Sequence, residues 1–161
     1  MTGEAAGVHA ALLRRGETVA VAESLTGGLL TAALTEAAGA SAVLRGGLVV
    51  YATDLKESLA GVPAALLDEY GPVHPDVAGA LAAGARAACR ADWGLGITGV
   101  AGPEPQGGQP VGTVWVGVSH LDDTEAFGIE LSGTRAEIRA SAVEAALDAL
   151  AARIAGLEHA G

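Results

Sequence analysis

The chain alternates between two patterns of hydrophobic positions. Short runs rich in valine and isoleucine, such as TVAVA, have the pattern of buried strands. They predict strands at residues 18–22, 46–53, 92–98, 111–119 and 126–132. Longer stretches carry apolar residues at helical spacing, as Val143, Leu147, Leu150 and Ile154 do. They predict helices at residues 5–15, 28–39, 63–71, 74–90 and 135–154.

The order of these elements predicts the fold class. Helices separate the early strands, whereas the last two strands follow one another across the turn HLDDTE and are expected to pair antiparallel. Residues 99–110 contain too many glycines and prolines for a helix or strand. We therefore expect one α/β domain over 1–161, with its core at about 14–152. The expected sheet is mixed, mostly parallel and covered by helices on both faces, as in a three-layer sandwich.

Composition and charge argue against several classes of protein. Of the 161 residues 50% are hydrophobic and 17% are charged, which favours a folded chain over a disordered one. A net charge of −10 with nine Lys and Arg argues against nucleic-acid binding. The single cysteine, Cys89, and the lack of a signal-peptide or membrane-span pattern predict a cytoplasmic protein that does not bind membranes. A homo-oligomer is compatible with this composition.

Two predicted strands end at a polar residue that lies close to glycines. Ser24, in AESLTGG, follows the first strand, and Thr98, in TGVAGP, ends the third. The carboxyl ends of strands form the ligand crevice of an α/β sheet, and glycines let backbone N–H groups approach a ligand closely. Ser24 is therefore a candidate nucleophile. The alternative is that Ser24 and Thr26 are helix N-caps.

A nucleophilic serine needs a base. No histidine adjoins a glycine-bounded strand end: His9, His120 and His159 are expected to face solvent, and His74 to cap a helix. Lys56 is the only lysine, because every other basic position is arginine. A desolvated lysine can lose its proton near neutral pH, whereas arginine cannot, so a Ser–Lys pair is a candidate catalytic unit. The alternative is an ordinary surface lysine.

The motifs AESLTGG, GGLVVYATDLK, EYGPVHPDVA, TGVAGPEPQGGQPVGTVWVG and GTRAEIRASAVEAALDAL resemble the CinA C-terminal domain family in order and spacing. The resemblance covers about residues 14–152. Members with known activity hydrolyse the carboxamide of nicotinamide mononucleotide to nicotinate mononucleotide and ammonia. The resemblance implies this small-molecule substrate and catalytic roles for Ser24, Lys56 and Thr98. No cofactor or metal is expected.

The implied reaction is covalent catalysis by serine. Ser24 attacks the carboxamide carbon, and neutral Lys56 takes its proton and returns one to the departing ammonia. Thr98 is expected to orient Ser24 or to relay the proton. Backbone N–H groups near Gly27 and Gly28 are expected to hold the oxyanion.

The substrate-binding residues are expected around this centre. The ribose and phosphate are assigned to the TGVAGP loop and to Arg135 or Arg139. Tyr51 either stacks on the pyridinium ring or is a core tyrosine, and Glu23 either orients the ring or supports the loop. The expected substrate-binding residues are Glu23, Thr26, Gly27, Gly28, Tyr51, Gly99, Ala101, Gly102, Arg135 and Arg139.

The chain departs from the family pattern at several positions. Leu25 replaces the usual cysteine, and its apolar side chain predicts little effect. Thr53 and Asp54 stand where an asparagine is usual before the lysine, and His74 stands where serine is common. The alternative function is a non-catalytic pyridine-nucleotide-binding module of the same fold. Only the amidase requires Ser24 and Lys56 within hydrogen-bond distance.

Overall fold

The computed structural model describes residues 3–161, which contain five strands and six α-helices. In chain order these elements are α1 (Gly3–Arg15), β1 (Val19–Glu23), α2 (Leu29–Thr35), β2 (Leu44–Val49), α3 (Thr53–Ser58), α4 (Ala64–Tyr70), α5 (Pro75–Cys89), β3 (Trp93–Gly99), β4 (Thr113–His120), β5 (Asp123–Glu130) and α6 (Arg135–His159). A short 3-10 helix, Ala40–Ala42, precedes β2. No helix among residues 3–161 combines the length and the apolar character needed to cross a membrane.

The strands form one sheet in the order β2-β1-β3-β4-β5. β1 lies parallel to both β2 and β3, whereas β4 pairs antiparallel with β3 and with β5. Four strands therefore run in one direction and β4 runs in the other. The predicted mixed α/β sheet is confirmed, and the carboxyl ends of β1, β2 and β3 meet at the same edge.

Helices cover both faces of the sheet, because successive side chains of a strand point to opposite faces. On one face, Val19 and Val21 of β1 join a core cluster with residues of α1, α2 and α6. On the other, Ala20 and Ala22 join a cluster with residues of α5 and of the segments around α3 and α4. The predicted three-layer arrangement is thus present.

Glycine lets α5 approach the sheet closely. Gly94 and Gly96 of β3 and Gly117 of β4 face this helix. A Cβ atom added to Gly117 would overlap the backbone carbonyl of Ala78, and one added to Gly94 would overlap that of Ala82. The helix backbone therefore occupies space that side chains fill elsewhere on the sheet.

The main difference from the prediction lies after β2. The strand expected at 46–53 spans Leu44–Val49, and Thr53 begins α3, a helix that was not predicted. With six residues α3 is too short to show a helical period of hydrophobic positions. Other boundaries shift by a few residues, as at β5, which begins at Asp123 instead of 126.

His120 is a second difference, because it does not face solvent. It is buried, and its ring stacks on Trp93 with the centroids 4.0 Å apart. Nε2 lies 3.7 Å from Oε1 of Glu17. Burial lowers the pKa of His120, although the nearby Glu17 carboxylate opposes this effect. The sequence placed His120 in the turn, whereas it is the last residue of β4 and packs against Trp93 of the neighbouring strand.

The close approach of α5 can be tested at Gly117. We expect Gly117→Ala to lower the free energy of unfolding by about 1–3 kcal/mol, because the added methyl group meets backbone that cannot move aside. Urea unfolding measures the change. Gly156→Ala in α6 is the matched control: nothing lies within 4 Å of its added Cβ. This control should be neutral or stabilising by up to about 1 kcal/mol. Equal stability of Gly117→Ala and the wild type would contradict the close packing of α5 against β4.

Candidate active site

The last residue of β1 and the residue after it face opposite sides of the sheet. The Glu23 carboxylate accepts hydrogen bonds from α2, which lies on one face, while the Ser24 hydroxyl contacts Lys56 of α3, on the other. This follows from the two-residue period of an extended chain. The acidic group and the hydroxyl are neighbours in sequence but belong to different environments.

Lys56 Nζ lies 3.0 Å from Oγ of Ser24. It also donates to the backbone carbonyls of Val50, at 2.8 Å, and Tyr51, at 3.2 Å, which follow β2. A neutral amine has two N–H donors and one lone pair. Because carbonyl oxygens can only accept, neutral Lys56 would direct both N–H groups to them and its lone pair to the Ser24 hydroxyl. The two carbonyls thus restrict the orientation of the Lys56 amine.

The environment of Lys56 favours its neutral form. The side chain is 1% exposed, and no ion pair among residues 3–161 involves it. Burial without a counter-charge lowers the pKa of Lys56 from 10.5 to about 8. With such a pKa about a tenth of the side chains are neutral at pH 7. The surface-lysine interpretation does not fit this position.

Thr98 lines the same cavity as Ser24, but its hydroxyl donates its hydrogen bond to a different residue. It is buried in β3, and its Oγ1 donates to the Pro72 carbonyl at 2.7 Å. Among the hydrogen bonds of residues 3–161, none joins Thr98 to Ser24. Thr98 therefore ties the segment before α5 to the strand end, and it lines the cavity beside Ser24.

A cavity of about 210 Å³ lies above the carboxyl ends of β1 and β3. Eight of the predicted site residues line it: Ser24, Tyr51, Lys56, Thr98, Gly99, Ala101, Gly102 and Arg135. The fold thus brings together residues that are up to 111 positions apart, from Ser24 to Arg135.

Four of the residues expected to bind substrate do not line this cavity: Glu23, Thr26, Gly27 and Gly28. The Glu23 carboxylate is wholly buried and accepts five hydrogen bonds: from Oγ1 of Thr26 at 2.6 Å, N of Gly28 at 3.2 Å, N of Leu30 at 2.9 Å, N of Thr31 at 2.9 Å and Oγ1 of Thr31 at 2.6 Å. All five donors lie in the turn or in α2. Of the two roles considered for Glu23, supporting the loop is the one that these contacts serve.

The N–H groups of Gly27 and Gly28, which are the expected oxyanion donors, have partners within the protein. The Gly27 N–H donates to the Ser24 carbonyl at 3.0 Å, and the Gly28 N–H donates to Glu23. Both are therefore occupied. The Leu25 N–H has no hydrogen-bond partner among residues 3–161, and Leu25 lines the cavity. Sequence reasoning missed this free N–H, although the residue directly after a candidate nucleophile is a known position for an oxyanion-hole donor.

The N-cap interpretation of Ser24 and Thr26 does not hold. α2 begins at Leu29 with Gly28 as its N-cap, and no side chain of the cap residue bonds to the helix. The carboxylate of Glu23 takes that role, because it accepts from the first N–H groups of α2. Ser24 is left free of a capping function.

The two candidate arginines have different partners. Arg135 donates to the Gly102 carbonyl and, through Nη2 at 3.1 Å, to the Tyr51 hydroxyl at the cavity mouth. Arg139 donates to the carbonyls of Leu25, at 2.9 Å, and Thr26, at 3.3 Å. Arg135 therefore lies at the cavity, whereas Arg139 holds the turn that carries Ser24.

Tyr51 is 59% exposed, so it is not a core tyrosine. Two further residues line the cavity but were not predicted, Glu104 and Gln106. Among the described residues that line it, Glu104 alone is acidic. Their only signal in the sequence is the Gly/Pro-rich loop that contains them. Among the described residues, no group of three or more His, Cys, Asp and Glu side chains could hold a metal ion.

The positions that depart from the family pattern have ordinary structural roles. Leu25 is 3% exposed and packs in the core with α6 residues. Asp54 lies in the first turn of α3, where a negative charge is favourable. His74 caps α5 as predicted, accepting from the Asp76 N–H at 3.1 Å, and stacks on Tyr70.

Comparison with known proteins places this geometry in context. Residues 2–154 match the model of the CinA C-terminal domain. The chain is 48% identical over 148 residues to a CinA-like protein of Frankia casuarinae and 50% identical over 146 residues to one of Anaeromyxobacter dehalogenans. These matches cover 92% and 89% of this chain but 34% and 35% of the relatives. The chain thus spans about a third of the length of these curated relatives.

Solved structures show the same fold. The competence damage-inducible protein A of Klebsiella pneumoniae matches with a TM-score of 0.92 and 33% identity, over 94% of this chain and 95% of that chain. The competence/damage inducible protein CihA of Agrobacterium tumefaciens matches with a TM-score of 0.86 and 33% identity, over 94% of this chain and 96% of that chain.

The state of Lys56 can be measured directly. Because Lys56 is the only lysine, protein labelled with ¹³C at lysine Cε gives one lysine NMR signal. We expect its titration midpoint, the pKa, near the value of about 8 that burial produces. Ser24→Ala should keep the lowered midpoint, and urea-unfolded protein should return to about 10.4. A midpoint in the folded protein equal to the unfolded one would contradict the buried environment.

Proposed function

The chain belongs to the CinA C-terminal domain family, and from this premise and the geometry of the site we propose that it is an amidase that hydrolyses nicotinamide mononucleotide to nicotinate mononucleotide and ammonia. The observation that carries the proposal is the buried Lys56 amine, 3.0 Å from the Ser24 hydroxyl and without an acidic partner among the described residues. A pyridine-nucleotide-binding module has no need of a desolvated base beside a hydroxyl.

In the first half-reaction, neutral Lys56 takes the Ser24 proton as Oγ attacks the carboxamide carbon. The carbonyl oxygen becomes an oxyanion, for which the Leu25 N–H is the candidate donor. The C–N bond then breaks, and the Lys56 ammonium gives its proton to the departing nitrogen, which leaves as ammonia. The product is a nicotinoyl ester of Ser24.

In the second half-reaction, Lys56 takes a proton from a water molecule, and the hydroxide attacks the ester carbon. The C–Oγ bond breaks, and Lys56 returns the proton to Ser24 Oγ. The carboxylic acid that is released ionises at neutral pH. The enzyme returns to its starting state, so the same amine serves both halves.

The charges at the cavity suit this substrate. Nicotinamide mononucleotide carries a cationic pyridinium ring and an anionic phosphate. Glu104 supplies a negative charge within the lining, and Arg135 supplies a positive one at the mouth. We assign the ring to the side of Glu104 and the phosphate to Arg135, which would exchange its bond to Tyr51 for the phosphate oxygens. Exposed Tyr51 is free to stack on the ring.

The central test is ammonia release from nicotinamide mononucleotide by the purified protein and its variants. Ser24→Ala and Lys56→Ala should each lower kcat by at least about 1,000-fold, and the double variant should be little worse, because the two groups share one step. Lys56→Arg should be almost as damaging, because guanidinium cannot accept the proton. For the wild type, kcat/KM should rise with pH and level off above the Lys56 pKa of about 8.

Folding of each variant is verified by circular dichroism. A folded wild type that binds the nucleotide without releasing ammonia would favour the binding module. Substantial activity of Ser24→Ala would indicate direct attack by water, and a near-normal kcat of Lys56→Arg would show that Lys56 supplies only charge.

The two arginines should give separable kinetic effects. Arg135→Ala should raise KM for the nucleotide by about tenfold, the equivalent of about 1.4 kcal/mol, because it loses a phosphate contact. It should leave kcat/KM for free nicotinamide, itself a poor substrate, unchanged. Arg139→Ala should lower kcat for both substrates, because it releases the turn that carries Ser24.

Arg14→Ala is the matched control, because that side chain is 65% exposed and pairs with Glu158, away from the cavity. Equal effects of Arg135→Ala on the nucleotide and on free nicotinamide would exclude Arg135 as the phosphate ligand.

A further inference from the structure

The cavity contains a primary amine as well as a hydroxyl. Lys56 and Ser24 both line it, and their Nζ and Oγ atoms are 3.0 Å apart. A carbonyl carbon within reach of the serine oxygen is therefore also within reach of the lysine nitrogen. The reaction proposed for Ser24 uses this nitrogen only as a base and leaves its reactivity as a nucleophile unused.

The surroundings of Lys56 keep the nucleophilic form of its amine available. The carbonyls of Val50 and Tyr51 accept two N–H groups, and no ion pair among residues 3–161 holds the side chain as a cation. With a pKa of about 8, about a tenth of the Lys56 amines are neutral at pH 7. An exposed lysine, with a pKa of about 10.4, is neutral in only about one molecule in 2,500.

A ligand reaches this amine through the cavity. The Lys56 side chain is 1% exposed, but the cavity that it lines has a volume of about 210 Å³ and includes Tyr51, which is 59% exposed. A cavity of about 150 Å³ is enough to hold a benzene molecule. The cavity therefore has room for one six-membered aromatic ring beside Lys56.

An aldehyde is the carbonyl compound that such an amine captures by losing water. Nζ forms a bond to the aldehyde carbon, and the aldehyde oxygen takes one proton from Nζ and one from solvent. The C–O bond then breaks, water leaves, and a C=N bond forms that keeps one N–H. That N–H is sufficient for the shorter of the two carbonyl contacts, the one to Val50 at 2.8 Å.

We propose that the site takes a second class of ligand, aromatic aldehydes with a six-membered ring, and holds them covalently as an imine of Lys56. An aldehyde bound in this way fills the cavity and occupies the base, so it blocks amide hydrolysis until water reverses the imine. The choice of a pyridine ring for the probe rests on the proposed function, whereas the reaction of Lys56 does not.

Reductive trapping with pyridine-3-carbaldehyde tests the proposal. This compound keeps the ring of nicotinamide and carries an aldehyde in place of the carboxamide. Sodium cyanoborohydride adds hydride to the imine and turns it into a stable secondary amine. Mass spectrometry of the digested protein should find one pyridylmethyl group on Lys56, the single lysine, in a peptide distinct from the amino terminus. Lys56→Arg should carry the label at the amino terminus only.

An exposed lysine provides the matched comparison. Arg14→Lys places a second lysine at a position whose side chain is 65% exposed and lies near Glu158. In the same sample at pH 7, Lys56 should be labelled at least about tenfold faster than the introduced lysine, because far more of it is neutral. Equal or slower labelling of Lys56 would overturn the proposal.

Inhibition of ammonia release from nicotinamide mononucleotide is the second measurement. The aldehyde should inhibit the wild type reversibly, with activity restored by dilution, and reduction should make the loss permanent. Inhibition without a label on Lys56 would assign the aldehyde to Ser24 and overturn the proposal.

The two measurements separate this inference from the proposed function. A protein that releases no ammonia but is labelled at Lys56 would contradict the amidase and support the imine. An active enzyme that carries no label at Lys56 would overturn the imine alone.

Discussion

The buried carboxylate of Glu23 is the contact on which the geometry of the site depends. A carboxylate removed from water must receive hydrogen bonds, and this one receives five, all from the turn after β1 and from α2. α2 has seven residues and would be unstable alone. Anchoring its first N–H groups to the sheet fixes the helix and the turn together. Arg139 holds the carbonyls of the same turn from α6, so the direction of Ser24 is determined from both sides.

Glu23 and Lys56 are both buried, yet their surroundings differ in kind. Donors surround Glu23, whereas Lys56 meets two backbone carbonyls and one hydroxyl. Lys56 forms no ion pair among residues 3–161, and desolvation is the cause that lowers its pKa. The two groups lie on opposite faces of the sheet, because the side chains of Glu23, which ends β1, and Ser24, which follows it and contacts Lys56, point in opposite directions. A charge that stabilises the fold is thus kept apart from the amine that would act as a base.

The glycine-lined face of β3 and β4 connects the packing of α5 to the site. Because α5 lies close to the sheet, the segment before it can reach the strand ends, where the Pro72 carbonyl accepts from Thr98. Small residues on the inner side of α5 allow this approach.

Much of the fold and part of the site followed from local sequence. Alternating short apolar runs and amphipathic stretches determined the α/β class and the mixed sheet, because burial imposes those periods on the chain. Ser24 and Thr98 were recognisable by their positions at glycine-flanked strand ends, and Lys56 by its uniqueness among arginines. The short helix α3 was not recognisable, because six residues display no period.

Only the tertiary structure decided which groups meet. It buried Lys56, stacked His120 on Trp93, directed Glu23 to α2, and assigned Arg135 to the cavity and Arg139 to the Ser24 turn. The partners of Arg139 are more than 110 residues away along the chain. A hydrogen bond or a desolvated charge depends on what other elements bring to the same point. That arrangement is set by the packing of the layers, and no local pattern of residues contains it.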